Sequence, residues 1–154
     1  MIKSTAVLLL LSMLVISTVH AQPVPDRILD TLDLQGHGQN VIVSINLAIP
    51  VRYMSHFPAE SGKELRIRLQ PVSISPGDRD ALYERETLVP GYQAQLFLNE
   101  VIYEGDMEGG PYLTLLFDRS VYFTVEQGRD SRSIIVRVTL PASELNPPAS
   151  DSVL

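Results

Sequence analysis

Between Val41 and Ile49 the chain alternates strictly: Val41, Val43, Ile45, Leu47 and Ile49 share one parity, with Ile42, Ser44, Asn46 and Ala48 between them. A period of two is the period of a β-strand, and a helix does not gather those positions on one face. The alternation returns at Leu65, Ile67 and Leu69 against Arg66, Arg68 and Gln70, and again at Ile134, Val136, Val138 and Leu140 against Arg137 and Thr139. Shorter strands are predicted over 51–54, 95–103, 112–117 and 121–125. Pro50 interrupts the first ladder, and glycine-bearing turns are expected over 104–111 and 127–130. Ser75-Pro76-Gly77-Asp78 resembles a helix start, so a short helix is predicted from Asp80 to Leu88, ended by Pro90 and Gly91. The fold expected is all-β: a small β-sandwich over 41–141 with one short connecting helix.

The strand pattern also repeats. Val43–Leu47, a break and Val51–Tyr53 resemble Leu113–Phe117, a break and Val121–Phe123, at an offset of 70. The strand Leu65–Leu69 then resembles Val136–Leu140, at an offset of 71, and each copy ends in a proline, Pro71 and Pro141. Two readings stand: a duplicated, pseudo-symmetric sandwich, or two meanders that look alike because turn-bounded alternation is generic.

Outside that region the sequence changes character. Lys3 followed by an apolar run from Ala6 to Val19, ending in Val19-His20-Ala21, is the pattern of a cleavable signal peptide over 1–21. Residues 22–40 read as a flexible leader carrying one apolar cluster, Ile28, Leu29, Leu32 and Leu34. Residues 142–154, rich in proline, serine and alanine, read as a disordered tail. No later stretch is long and apolar enough to span a bilayer as a helix, so the expected destination is the periplasm. The chain holds 12 basic and 18 acidic residues. Loss of Lys3 with the leader leaves 11 − 18 = −7. An acidic chain lacks the basic footprint that nucleic acid or anionic lipid requires. With zero cysteines there is no disulfide framework, which suits a bacterial periplasm better than a secreted eukaryotic domain.

Catalytic patterns are absent: there is no His-Glu-x-x-His, and no Gly-x-Ser-x-Gly elbow. Ser55 and His56 are adjacent, but neighbours on a strand point to opposite faces and cannot serve as a nucleophile–base pair. No catalytic residue, metal ligand or cofactor is expected. The acidic turn Glu104–Glu108 reads as a solvated hairpin tip, with calcium ligation as the alternative. The informative residues are arginines on the polar parity of the strands, Arg66, Arg68 and Arg137. If those strands are close, they form a basic patch that Tyr53 and Tyr122 flank, suited to carboxylates. The alternative is an ordinary charged face paired with local glutamates such as Glu64.

An apolar strand, a polar or proline break, a short Val51-Arg52-Tyr53 or Val121-Tyr122-Phe123 strand, a glycine turn and a final alternating strand ending in proline together resemble the AMIN and AMIN-like domains of bacterial envelope proteins. The resemblance covers Val41 to Pro141. It implies a non-enzymatic adaptor that binds peptidoglycan or periplasmic envelope proteins. Such domains sit beside a partner domain, and none is read in this sequence. A small secreted hydrolase or inhibitor is the alternative.

Overall fold

The computed structural model of the chain describes residues 27–91 and 97–141. The expected signal peptide, the tail and the start of the strand predicted over 95–103 lie outside the described residues. The protein is all-β. Its strands are β1 (Leu29–His37), β2 (Asn40–Leu47), β3 (Val51–Phe57), β4 (Ser61–Pro71), β5 (Arg85–Leu88), β6 (Leu98–Glu104), β7 (Tyr112–Gln127) and β8 (Ser133–Thr139). They form one antiparallel sheet in the order β1-β2-β8-β7-β4-β3, with β6 on β7 and β5 on β6.

Three expectations need correction. The leader expected over 22–40 contains a strand, β1, because Leu32 and Leu34 alternate with Thr31, Asp33 and Gln35 and pair with β2. The short connecting helix is present but begins earlier than the expected Asp80–Leu88, as the 3-10 helices Pro76–Asp78 and Ala81–Tyr83, and the end of the expected span is instead the strand β5. Four residues of Arg85–Leu88 find backbone partners in Arg85↔Glu104 through Leu88↔Val101, so sheet pairing overrides a weak local helix preference. The strands predicted over 112–117 and 121–125 are one strand, β7. Its first half pairs with β4 and β6, and its second half with β8 and the start of β4.

This change of partners along β7 makes the sheet a sandwich. Inward residues Leu113, Leu115, Phe117, Val121 and Phe123 keep one parity through the switch at Asp118–Ser120. They meet Val43, Ile45 and Leu47 of β2, Leu65, Ile67 and Leu69 of β4, and Ile134, Val136 and Val138 of β8 in a single buried cluster. Each large aliphatic side chain buried there contributes roughly 1.5–3 kcal/mol of transfer free energy.

The pairing registers reveal a duplication larger than the sequence suggests. Strands β1 to β4 form one unit, and β6, the two halves of β7, and β8 form the other. The last strand of each unit pairs with the second strand of the other: Leu65↔Leu115 and Ile67↔Leu113 correspond to Ile134↔Ile45 and Val136↔Val43. The offset is 70 for the second strand (Val43 to Leu113) but 69 for the last (Leu65 to Ile134), not 71. The hairpin β1–β2 corresponds to β6–β7. Leu29↔Leu47 matches Leu98↔Phe117, and each hairpin has its register shift at the next pair. Even a bond outside the ladders recurs: Ala48 N donates to Ile28 O at 2.9 Å, and Asp118 N to Phe97 O at 3.0 Å. The segment Val72–Pro90, which carries β5, belongs to neither copy.

That inserted segment is fastened to the end of β6. The Tyr103 ring is completely buried, and its hydroxyl donates to the Leu82 carbonyl at 3.0 Å. Burial, and secondarily the charge of Glu86 and the nearby Tyr83, hold the Tyr103 pKa well above the ordinary phenol value. The native state therefore keeps a proton that the unfolded chain releases. The stability this represents is intact below the unfolded tyrosine value of about 10 and is lost as pH rises beyond it. In alkaline titration, absorbance near 295 nm should show one tyrosine that ionises only with unfolding, and Tyr103→Phe should abolish that late component. A Tyr103→Phe protein that retains it would assign the late tyrosine elsewhere.

Candidate functional site

Alternation places Arg66 and Arg68 of β4 on the face opposite the core, while Leu65, Ile67 and Leu69 point inward. Register then decides what they meet. Arg68 lies opposite Tyr112 and Arg66 opposite Thr114 on β7, and Phe57 and Ser55 of β3 lie on the other side, opposite Arg66 and Arg68. Ser55, His56, Phe57, Arg66, Arg68 and Tyr112 line a depression of about 280 Å³.

The two arginines are not alike. The Arg66 guanidinium carbon sits 5.2 Å from the centre of the Tyr112 ring, within cation–π range. One Arg66 nitrogen lies 3.4 Å from Glu104 Oε2, which also accepts the Thr114 hydroxyl at 2.9 Å. Arg66 Nε is buried without a hydrogen bond among the described residues, and Glu64 Oε1 lies 3.8 Å from it. Arg66 is thus a partly neutralised, packed cation. Arg68 is exposed and has no hydrogen bond or ion pair among the described residues. It stands at the rim, between this depression and a second one bounded by Met54, Gln70 and the Gly109-Gly110-Pro111 turn. Phe57, 76% exposed, supplies an aromatic surface beside it.

Arg137 does not join them. It pairs with Thr124 on the second half of β7, twelve positions along that strand from Tyr112, which pairs with Arg68. That separation is about 40 Å of extended chain. With β7 between β4 and β8, the single basic patch expected from sequence is not formed. Arg137 instead binds Glu126 through two nitrogens, at 2.6 and 3.1 Å. It lines a separate groove of about 670 Å³ with Tyr122, Ile42, Thr124 and Thr139. Under the duplication Arg68 and Arg137 are corresponding residues, but only Arg137 has a local carboxylate.

The tyrosines also separate. Tyr122 is 60% exposed beside Arg137. Tyr53 is half-buried against the core. Its N–H donates to Gln127 Oε1 at 2.7 Å, and its hydroxyl lies 2.6 Å from His56 Nδ1. His56 Nε2 is 2.9 Å from the Ala59 carbonyl, which only accepts, so Nε2–H donates there, and with that tautomer Nδ1 accepts a hydrogen bond from the Tyr53 hydroxyl. Both ring nitrogens of His56 are therefore engaged in holding the β3–β4 turn. In the acidic turn, Glu104 is engaged with Arg66 and Thr114, leaving Asp106 and Glu108 exposed. Among the described residues no group of three or more histidine, cysteine or acidic residues is placed to hold a metal ion.

Sequence reasoning missed Tyr112, Phe57 and Glu104 as neighbours of the arginines. An apolar residue directly before Pro58, outside the alternating core set, was the one available signal for Phe57. No known protein family, curated protein or solved structure matches the chain.

Proposed function

We propose that this protein is a non-enzymatic, exported envelope-binding module that recognises a carboxylate-bearing ligand, peptidoglycan or an envelope protein, through Arg68. The observation that carries this reading is an arginine without a hydrogen-bond or ion-pair partner among the described residues, exposed beside Phe57 and the Arg66–Tyr112 pair. A guanidinium fork matches a carboxylate bidentately, and peptidoglycan stem peptides carry carboxylates. Phe57 and Tyr112 add apolar contact at the rim of the same depression. The resemblance to AMIN-like domains and the signal-peptide pattern point to the same compartment and ligand class. The engaged His56 argues against a hydrolase built on Ser55 and His56, because the ring has no nitrogen left to take a serine proton.

Arg68 is also the cleaner residue to change, since Arg66 is packed against Tyr112 and tied to Glu104. Arg68→Glu should reduce co-sedimentation with purified sacculi roughly tenfold to hundredfold, the loss of one charge-assisted contact of about 1.5–3 kcal/mol. Folding stability should change by no more than about 0.5 kcal/mol, checked by circular dichroism and denaturant unfolding. Arg137→Gln should bind like the wild type. Equal binding by Arg68→Glu and wild type would remove Arg68 from the mechanism. A wild type that ignores sacculi would move the ligand from cell wall to protein.

A further inference from the structure

The duplication exposes a difference between the two copies that has a functional reading. In the second copy the outer edge of β6 is covered by β5, through Leu88↔Val101, Thr87↔Ile102, Glu86↔Tyr103 and Arg85↔Glu104. The corresponding strand of the first copy is β1, where Leu32, Asp33, Leu34 and Gln35 stand in the places of Val101, Ile102, Tyr103 and Glu104. Among the described residues no strand pairs with the outer edge of β1. Burial follows the same difference. Val101 and Tyr103 are completely buried, whereas Leu32 and Leu34 pack on the core yet remain half-exposed. Only the very start of β1 is capped, where Glu86 accepts the Ile28 and Leu29 N–H groups.

We infer that the free edge of β1 over Leu32–Gln35 is a docking site for an extended, basic peptide strand of another protein, which adds to the sheet antiparallel to β1 as β5 does to β6. An open edge offers a row of unpaired backbone donors and acceptors, and strand addition is the direct way to satisfy them. By the β5 register the guest residues opposite Leu32 and Leu34 would face the core side, where apolar side chains suit the half-exposed leucines, and the residue opposite Asp33 would face outward, where lysine or arginine matches the carboxylate. The sign of the charge comes from Asp30 and Asp33, exposed residues with no cationic partner among the described residues. Asp33 accepts only the Asn46 side-chain amide, at 2.8 Å. The same carboxylates disfavour the other occupants. A second copy would bring its own Asp30 and Asp33 against these, and like charges on facing strands repel. Residues 142–154 contain Glu144 and Asp151 and no lysine or arginine. This site is separate from the Arg68 face, so either can fail without the other.

The test is a titration of the exported protein with two capped heptapeptides, one alternating lysine with valine and the other glutamate with valine, followed by amide NMR shifts and hydrogen exchange. The lysine peptide should protect amides within Leu32–Gln35, leave β3 and β5 unchanged, and bind roughly fivefold or more tightly than the glutamate peptide, as one partly exposed ion pair allows. Asp33→Lys should reverse the preference. If that variant fails to fold, the charge preference of the wild type decides alone. Four results would overturn the inference: binding located elsewhere, no charge preference, β1 protection that depends on protein concentration, or β1 amides already protected in the free chain and released by truncation after Pro141. The last two identify a second copy and the chain's own end as the occupant.

Discussion

Glu86→Ala should lower the unfolding free energy by about 3 kcal/mol, seen as a lower denaturant midpoint with little change in slope. Glu86 lies on β5, yet its two carboxylate oxygens each accept a backbone N–H from the start of β1, Ile28 at 2.6 Å and Leu29 at 2.7 Å. These are charge-assisted bonds, and both donors belong to completely buried residues. Alanine would leave two N–H groups without a partner, each costing about 1–3 kcal/mol when desolvated. Glutamine recovers at most one of them, because its amide nitrogen turns a donor toward a donor. Glu86→Gln should therefore lie nearer to alanine than to wild type. Hydrogen exchange should show the damage first at the start of β1 and in Arg85–Leu88. A loss under about 1 kcal/mol would mean that water replaces the carboxylate at little cost.

Gly105→Ala should cost a similar amount, about 3 kcal/mol, at the upper end of what overpacking exacts. A Cβ at this position would lie 1.8 Å from the Leu82 carbonyl oxygen and 2.9 Å from Tyr83 Cα. Both are backbone atoms, so no rotamer change relieves the clash. The inserted segment would have to withdraw from β6, which would also break the bond from Tyr103 to the same Leu82 carbonyl. Gly77→Ala is the control, with nothing within 4 Å of its added carbon. It should change stability by no more than about 0.5 kcal/mol. Equal losses in the two variants would show that backbone entropy, rather than the close approach, makes Gly105 necessary.

The alternation of Val43, Ile45 and Leu47, of Leu65, Ile67 and Leu69, and of Ile134, Val136 and Val138 was sufficient to identify strands and their inward faces. Side-chain period is a local property, and all nine of these residues are core in the folded protein. The internal repeat was legible for the same reason, although its last strand was placed two residues out of register, because alternation is unchanged by a shift of two. Pairing partners were not legible. Whether Arg85–Leu88 is helix or strand depends on the edge of β6 being free to receive it. Whether Leu29–His37 is leader or strand depends on β2 lying alongside.

The candidate site divides in the same way. The sequence alone established that Arg66, Arg68 and Arg137 face away from the core, and that no familiar catalytic pattern accompanies them. Only the tertiary structure decided that β7 separates Arg137 from the other two, that Glu126 neutralises Arg137, and that Tyr112 and Glu104 engage Arg66 while Arg68 keeps an open cation. Parity along a strand is set by the backbone and can be read from one segment. Neighbours across strands are set by register between segments far apart in sequence, and that register is chosen by the packing of the whole core.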